Sequence, residues 1–185
     1  MSILTLDPAA STGYCIANIK NNKTNILEYG FLEIEKKEYD GDRYIDLEKQ
    51  VTGLVISNNI KEVAIEDFYF SSRHAMGSAI NVAFRAIIHM TCRKLNIPYT
   101  VIHISNWKKY ICGRTRPTKE DKKKYGAKAN KIMCLNALKD KFGVEFPEKS
   151  ISKKTGKEIN FRYDIADAVG ITYYYIDKKI KGEKS

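Results

Sequence analysis

Apolar and polar positions alternate through residues 3–6, 14–19 and 26–34, the pattern of half-buried β-strands. Gly13 and the pair Asn21-Asn22 punctuate them, so the three stretches predict an antiparallel meander. Over 44–57 the period becomes helical, with Ile45, Leu47, Val51, Leu54 and Val55 on the inward side. KEVAIEDFYF then supplies a short apolar strand, 63–65, closed by Glu66 and Asp67. The longest helical pattern, 75–95, repeats on Met76, Ile80, Ala83, Phe84, Ile87, Thr91 and Leu95, and Pro98 prevents its continuation. A second apolar set on it, Ile88 and Cys92, is available for a dimer contact. Residues 99–104 read as a fifth strand. Helices follow at 106–111, ending at Gly113, at 129–142, and at 163–181, where Ile165, Ala168, Val169, Thr172 and Ile176 share a face.

Hairpins followed by strand–helix–strand units imply an α/β fold, a mixed five-stranded sheet flanked by helices. Two polar, basic stretches, 114–128 and 148–162, interrupt the periodic segments. Periodicity resumes after each, so they read as surface loops of one domain spanning 1–185.

Charge narrows the partners. The chain carries 32 Lys+Arg against 22 Asp+Glu, a net charge of +10, which points to an anionic partner and most often to nucleic acid. No apolar run reaches the roughly 20 residues of a membrane span. A strand that starts beside Met1 predicts no signal peptide. The four cysteines are far apart and have no ligand spacing to the three histidines, so they read as reduced thiols of a cytoplasmic protein.

Against that positive background, four acids occupy telling places. Asp7 ends the first strand just before Pro8 and a small-residue turn, and Glu66 ends the fourth. Asp164 and Asp167, three apart, open the last helix on one face. If the first and fourth strands are neighbours, the four meet at one end of the sheet. Such a group is tolerated only with bound divalent cations or with protons taken up. Oxygen ligands suit Mg²⁺, with Mn²⁺ able to replace it, and two ions about 4 Å apart can drive phosphodiester hydrolysis. Taken singly the acids are ordinary: Asp164 and Asp167 complement a helix dipole, and Glu66 fits the wet end of a strand.

The ordered set LDPAASTGYCI, AIEDFYF, MGSAINVAFRAIIHMTCRKLNIP, NWKKYICG, KANKIM and YDIADAVGI resembles RuvC-type Holliday junction resolvases over residues 3–175. The lysine-rich divergence is more like a viral or phage member than a bacterial housekeeping one. The resemblance implies an RNase H-like fold and a homodimer that cuts four-way DNA junctions symmetrically with two Mg²⁺ ions per site. It makes Asp7, Glu66, Asp164 and Asp167 the metal ligands, with Asp7 bridging. Lys108 and Lys131 match the family's basic residues beside the active site, with Lys109 the alternative if NWKK is shifted by one. Phe68, Tyr69 and Phe70 hold the place of an aromatic that wedges into the crossover, and Arg73 and His74 would touch phosphate in the same loop.

The chain departs from the family in having longer, more basic 114–128 and 148–162 stretches. Arg114, Arg116, Lys122, Lys123, Lys124 and Lys128 become candidate grips for junction arms, with a solvated charged loop as the plainer reading. Three rivals stay open: an ATP-using relative of the same sheet, a non-catalytic junction binder, and an RNase H-like nuclease acting on other branched DNA, flaps or RNA–DNA hybrids. A duplicated domain and a second Asp-x-Gly motif, which the first needs, are not visible.

Overall fold

In a computed structural model the chain is described except for residues 10, 36–37, 39, 68–74, 153 and 184–185, with only the backbone of 75–78. Strands β1 (Ser2–Asp7), β2 (Gly13–Lys20) and β3 (Lys23–Phe31) form the antiparallel meander. After helix α1 (Asp40–Ser57) the chain returns as β4 (Ile60–Glu66), parallel to β1. Helix α2 (Ala75–Lys94) then leads to β5 (Tyr99–Ile102), parallel to β4, giving the sheet order β3-β2-β1-β4-β5. Next come α3 (Ile104–Cys112), the short α4 (Lys119–Tyr125) and α5 (Ala129–Phe142). A small hairpin, β6 (Lys149–Ile151) with β7 (Glu158–Asn160), precedes α6 (Asp164–Ile180). This is the mixed five-stranded α/β sheet flanked by helices that the pattern predicts.

The sheet has a core on each face, and strand parity assigns every residue to one of them. Leu4, Leu6, Val63 and Ile65 pack with Leu47, Val51, Phe84, Ile88 and Cys92 under α1 and α2. Ile3 and Ala64 pack on the opposite face with Trp107, Ile111, Leu138, Val169 and Ile176 of α3, α5 and α6. Thr5 faces the same way, and its hydroxyl donates to the Ala168 carbonyl of α6 at 2.9 Å. Asp7, two positions beyond Thr5, and Glu66, two beyond Ala64, therefore share the α6 face. A one-residue slip would turn these carboxylates into the core under α1 and α2 and put Leu6 where Asp7 meets the acids of α6, so hydrophobic burial pins the register.

Several expectations are corrected. The third strand is Lys23–Phe31 rather than 26–34, because Asn21 and Asn22 take positive φ (52° and 55°) and close a two-residue hairpin that starts pairing at once. Ile45 is 51% exposed; Arg43 takes the inward place, its guanidinium 5.6 Å from the Phe84 ring centre. The fifth strand stops at Ile102, and His103 caps α3 instead. Ile88 and Cys92 are fully buried in the core, so neither offers a dimer surface.

The basic stretches are not plain loops. Residues 114–128 contain α4, started by a capping box between Thr118 and Asp121, and residues 148–162 contain the β6–β7 hairpin.

Helix α6 reaches the sheet because position 13 has no side chain. A Cβ there would lie 2.0 Å from the Asp164 carbonyl oxygen. We expect Gly13→Ala to destabilise the fold by about 1–3 kcal/mol or more, read from urea denaturation, because backbone rather than a flexible side chain must move. A wild-type midpoint would show that α6 does not depend on this contact.

Candidate active site

The carboxyl ends of β1 and β4 and the amino end of α6 meet at one edge of the sheet. One oxygen from each of Asp7, Asp164 and Asp167 lies within 4.8 Å of the others. Glu66 joins them through a hydrogen bond with Asp7, and its Oε1 accepts from Trp107 Nε1 at 2.7 Å. Asp7 is buried and the other three are half-buried. Asp7 and Glu66 also line a cleft of about 170 Å³ with Pro8, Asn81, Arg85 and Ile104.

The electrostatics are those of crowded acids. Burial first, then Glu66, Asp167 and Asp164, push the Asp7 carboxyl well above its usual range. Burial and the neighbouring Asp167 raise Glu66 to about 7, against the pull of Lys108 and the Asp7 and Trp107 hydrogen bonds. Asp167 is raised by burial in spite of Lys108, a hydrogen bond with the Cys134 thiol, and Lys131. Asp164 is raised by burial and Asp167, with Lys131 and Arg162 opposing.

Lys108 is the buried cation of the cluster, only 5% exposed. Burial opposes its charge, yet Asp167, Cys134, Glu66 and Asp7 together hold the ammonium above its ordinary value. Of the two lysines of NWKK, Lys108 is turned in to the acids and Lys109 faces solvent. Lys131, exposed on α5, stacks 5.3 Å from the Tyr163 ring and is near enough to act on Asp164 and Asp167.

One buried ammonium among four carboxylates leaves excess negative charge in a half-dry site. An all-oxygen donor set of that kind fits a hard divalent cation, which would restore balance.

The remaining candidates scatter. Phe68, Tyr69, Phe70, Arg73 and His74 lie outside the described residues. Arg114, Arg116, Lys122, Lys123, Lys124 and Lys128 are exposed, with Arg114 paired to Asp121 at 2.8 Å and the Lys124 ammonium 5.0 Å from the Tyr125 ring centre. In the hairpin, Lys149 pairs with Glu158 at 2.8 Å and Lys154 with Glu35 at 3.2 Å, so both serve the chain's own acids.

Sequence reasoning passed over Trp107. It is fully buried, orients Glu66, and packs so closely under α6 that a Cβ on Gly170 would come within 2.8 Å of its ring. The signal was a single tryptophan beside Lys108 in a chain with no other. Cys134, the thiol on Asp167, and Arg85, which pairs with Asp67 at the cleft, left no pattern to follow.

With the geometry in hand, comparison with known proteins decides the family. Residues 3–140 match the family described as crossover junction endodeoxyribonuclease RuvC. The chain belongs to the RuvC family. A RuvC from Sulfurovum sp. (strain NBC37-1) is 30% identical over 125 residues, 65% of this chain and 75% of the relative. The fold is that of the Thermus thermophilus RuvC structure, with a TM-score of 0.71 at 14% identity over 98% of this chain and 97% of that one. A structure of T. thermophilus RuvC in complex with Holliday junction substrate superposes with a TM-score of 0.69 at 15% identity, over 98% of this chain and 96% of that one. The RuvC match ends before Asp164 and Asp167, which enter the cluster through the packing of α6 alone.

The raised carboxyls carry a pH signature. A folded-state pKa above the unfolded value means that folding binds protons, so stability is full below the unfolded value and falls as pH climbs through the folded one. For Glu66 that window runs from 4.5 to about 7. Melting curves in chelator should fall across the window, and excess Mg²⁺ should restore the loss at its alkaline end. Asp7→Asn should flatten the fall and raise the metal-free melting temperature at the alkaline end, by roughly 2–4 °C for each kcal/mol of repulsion relieved. A flat profile in the unmodified protein would mean that the acids do not crowd.

Proposed function

We propose that this chain is a homodimeric, Mg²⁺-dependent endonuclease that resolves four-way DNA junctions by hydrolysing one phosphodiester in each of two opposed strands. The observation that carries the reading is the convergence of Asp7, Glu66, Asp164 and Asp167 in a RuvC-family chain of charge +10.

Asp7, Glu66, Asp164 and Asp167 would hold the metal, with Asp7 reaching the most partners. When bound, divalent ions activate a water for in-line attack and stabilise the departing 3′ oxygen, which leaves a 5′-phosphate. Trp107 keeps the Glu66 carboxylate turned to the site through its indole N–H. Lys108, beside Asp167 and Glu66, offers a fixed positive charge to the scissile phosphate. Lys131 stands further out on the same side, placed to steady the flanking phosphate.

Symmetric cutting needs two sites related by a two-fold axis. The solvent side of α2 supports that arrangement. Ala79, Val82, Ala86 and Met90 recur there at helical spacing and are exposed, Val82 at 42% and Met90 at 53%. A two-fold contact through this stripe would set two acid clusters against opposed strands. The unpaired, mostly buried cysteines suit a reducing cytoplasmic setting.

The deciding experiment offers a labelled four-way junction beside linear duplex, flap and RNA–DNA hybrid in Mg²⁺. Paired symmetric nicks in the junction are expected, and preferential cutting of flap or hybrid would replace the reading with the broader nuclease one. Asp7→Asn should keep junction affinity and lose at least about 10²-fold in cleavage rate; retained cleavage would refute its role as a ligand. Met90→Glu should shift the sedimenting species from dimer to monomer, and an unchanged mass would put the interface elsewhere.

A further inference from the structure

Beyond the acid cluster, α3, α4 and α5 border an open cavity of about 710 Å³, within the size range of small-ligand sites. We propose that this cavity receives one unpaired base of the strand being cut, extruded from the crossover, with its flanking phosphate held by Arg116 and Lys122. The inference rests on the junction-cutting reading above and adds to it a subsite for a single nucleotide.

Three observations carry it. The cavity is walled by Ile104, Pro117 and Ala127 and edged by Lys108, Arg116 and Lys122, with no carboxylate among its described lining residues. A surface that only gripped phosphates would need the cations without the apolar hollow; a base with its phosphate needs both.

The hollow also adjoins the acids. Ile104 lines both it and the cleft of Asp7 and Glu66, and Lys108 lines it while sharing the charge of Asp167. A strand with its phosphate at the carboxylates therefore passes the cavity mouth.

Finally, the wall is built in advance. The Thr118–Asp121 capping box starts α4, and the Arg114–Asp121 ion pair ties it back to the segment leaving α3. Extrusion costs least where a base is already unpaired, as at a strand exchange.

The test uses four-way junctions carrying 2-aminopurine at successive positions around the crossover, bound to the full-length protein in Ca²⁺ so that cleavage is suppressed. 2-Aminopurine is dim when stacked. No Trp, Tyr or Phe lines the cavity among the described residues, so it should brighten several-fold at one position only. Ala127 is exposed on the turn before α5, and Ala127→Trp should narrow the hollow and offer the base an indole to stack on, abolishing that rise either way while keeping junction affinity, which backbone contacts supply. Arg116→Gln, at an exposed position, should weaken the same signal and gives a second reading should the tryptophan variant fold poorly.

A uniform response at all positions, or a positional one untouched by both variants, overturns the proposal. If the unmodified protein cuts the junction in Mg²⁺ yet shows no variant-sensitive signal, only the subsite fails. If it neither binds nor cuts the junction, the functional reading fails and the subsite with it.

Discussion

The repulsion among four carboxylates gathered at one edge of the sheet is the constraint around which this protein is organised. Each is raised above its usual range, with burial the leading cause and the like charges of the cluster adding to it at three of the four. Lys108 is driven in to meet them, Trp107 donates its indole N–H to one of them, and Cys134 to another. Asp164 and Asp167 also sit in the first turn of α6, where the helix dipole favours acids, and remain raised in spite of it. The fold thus stores at its working edge an imbalance that a divalent cation would relieve. Local destabilisation of this kind is the usual companion of a preorganised site.

The rest of the architecture serves to hold that edge. Parallel pairing of β1 with β4 sets Asp7 and Glu66 side by side, one residue beyond the Leu6–Ile65 pair. Packing of α6 across the same face, through Thr5 and through the gap left by Gly13, delivers the other two acids. The two apolar cores fix the pairing register, and so a carboxylate cannot move without a buried strand residue moving with it.

Charge is segregated across the molecule. The acids occupy a recess, whereas the cations of residues 114–128 are exposed, and Arg116 and Lys122 line a cavity that shares Ile104 with the acid cleft. A polyanion would meet those cations first, and a divalent cation would balance the acids. The second basic stretch does less toward this than its composition suggests, because Lys149 and Lys154 are paired with Glu158 and Glu35. Composition counts charges; only the fold tells which are spent internally.

Much of this was legible in the chain as written. Two-residue periodicity exposed the strands, 3.6-residue periodicity the helices, and Asp7 stood out because a charge ending a buried strand demands a partner. These signals are local, and local dihedral and burial preferences act over a few residues. Whether Asp7 and Glu66 meet hung on the pairing of the first and fourth strands, which the sequence left as a condition and the β1–β4 register fulfils. Nearness of residues 7 and 167 was a different matter, since it depends on the β1–β4 pairing and on how α6 crosses the sheet. So did the buried setting of Lys108 against the exposed Lys109, the hold of Trp107 on Glu66, and the hollow behind α4. Each arises where elements remote along the chain come into contact, and a linear pattern holds no term for the space between them.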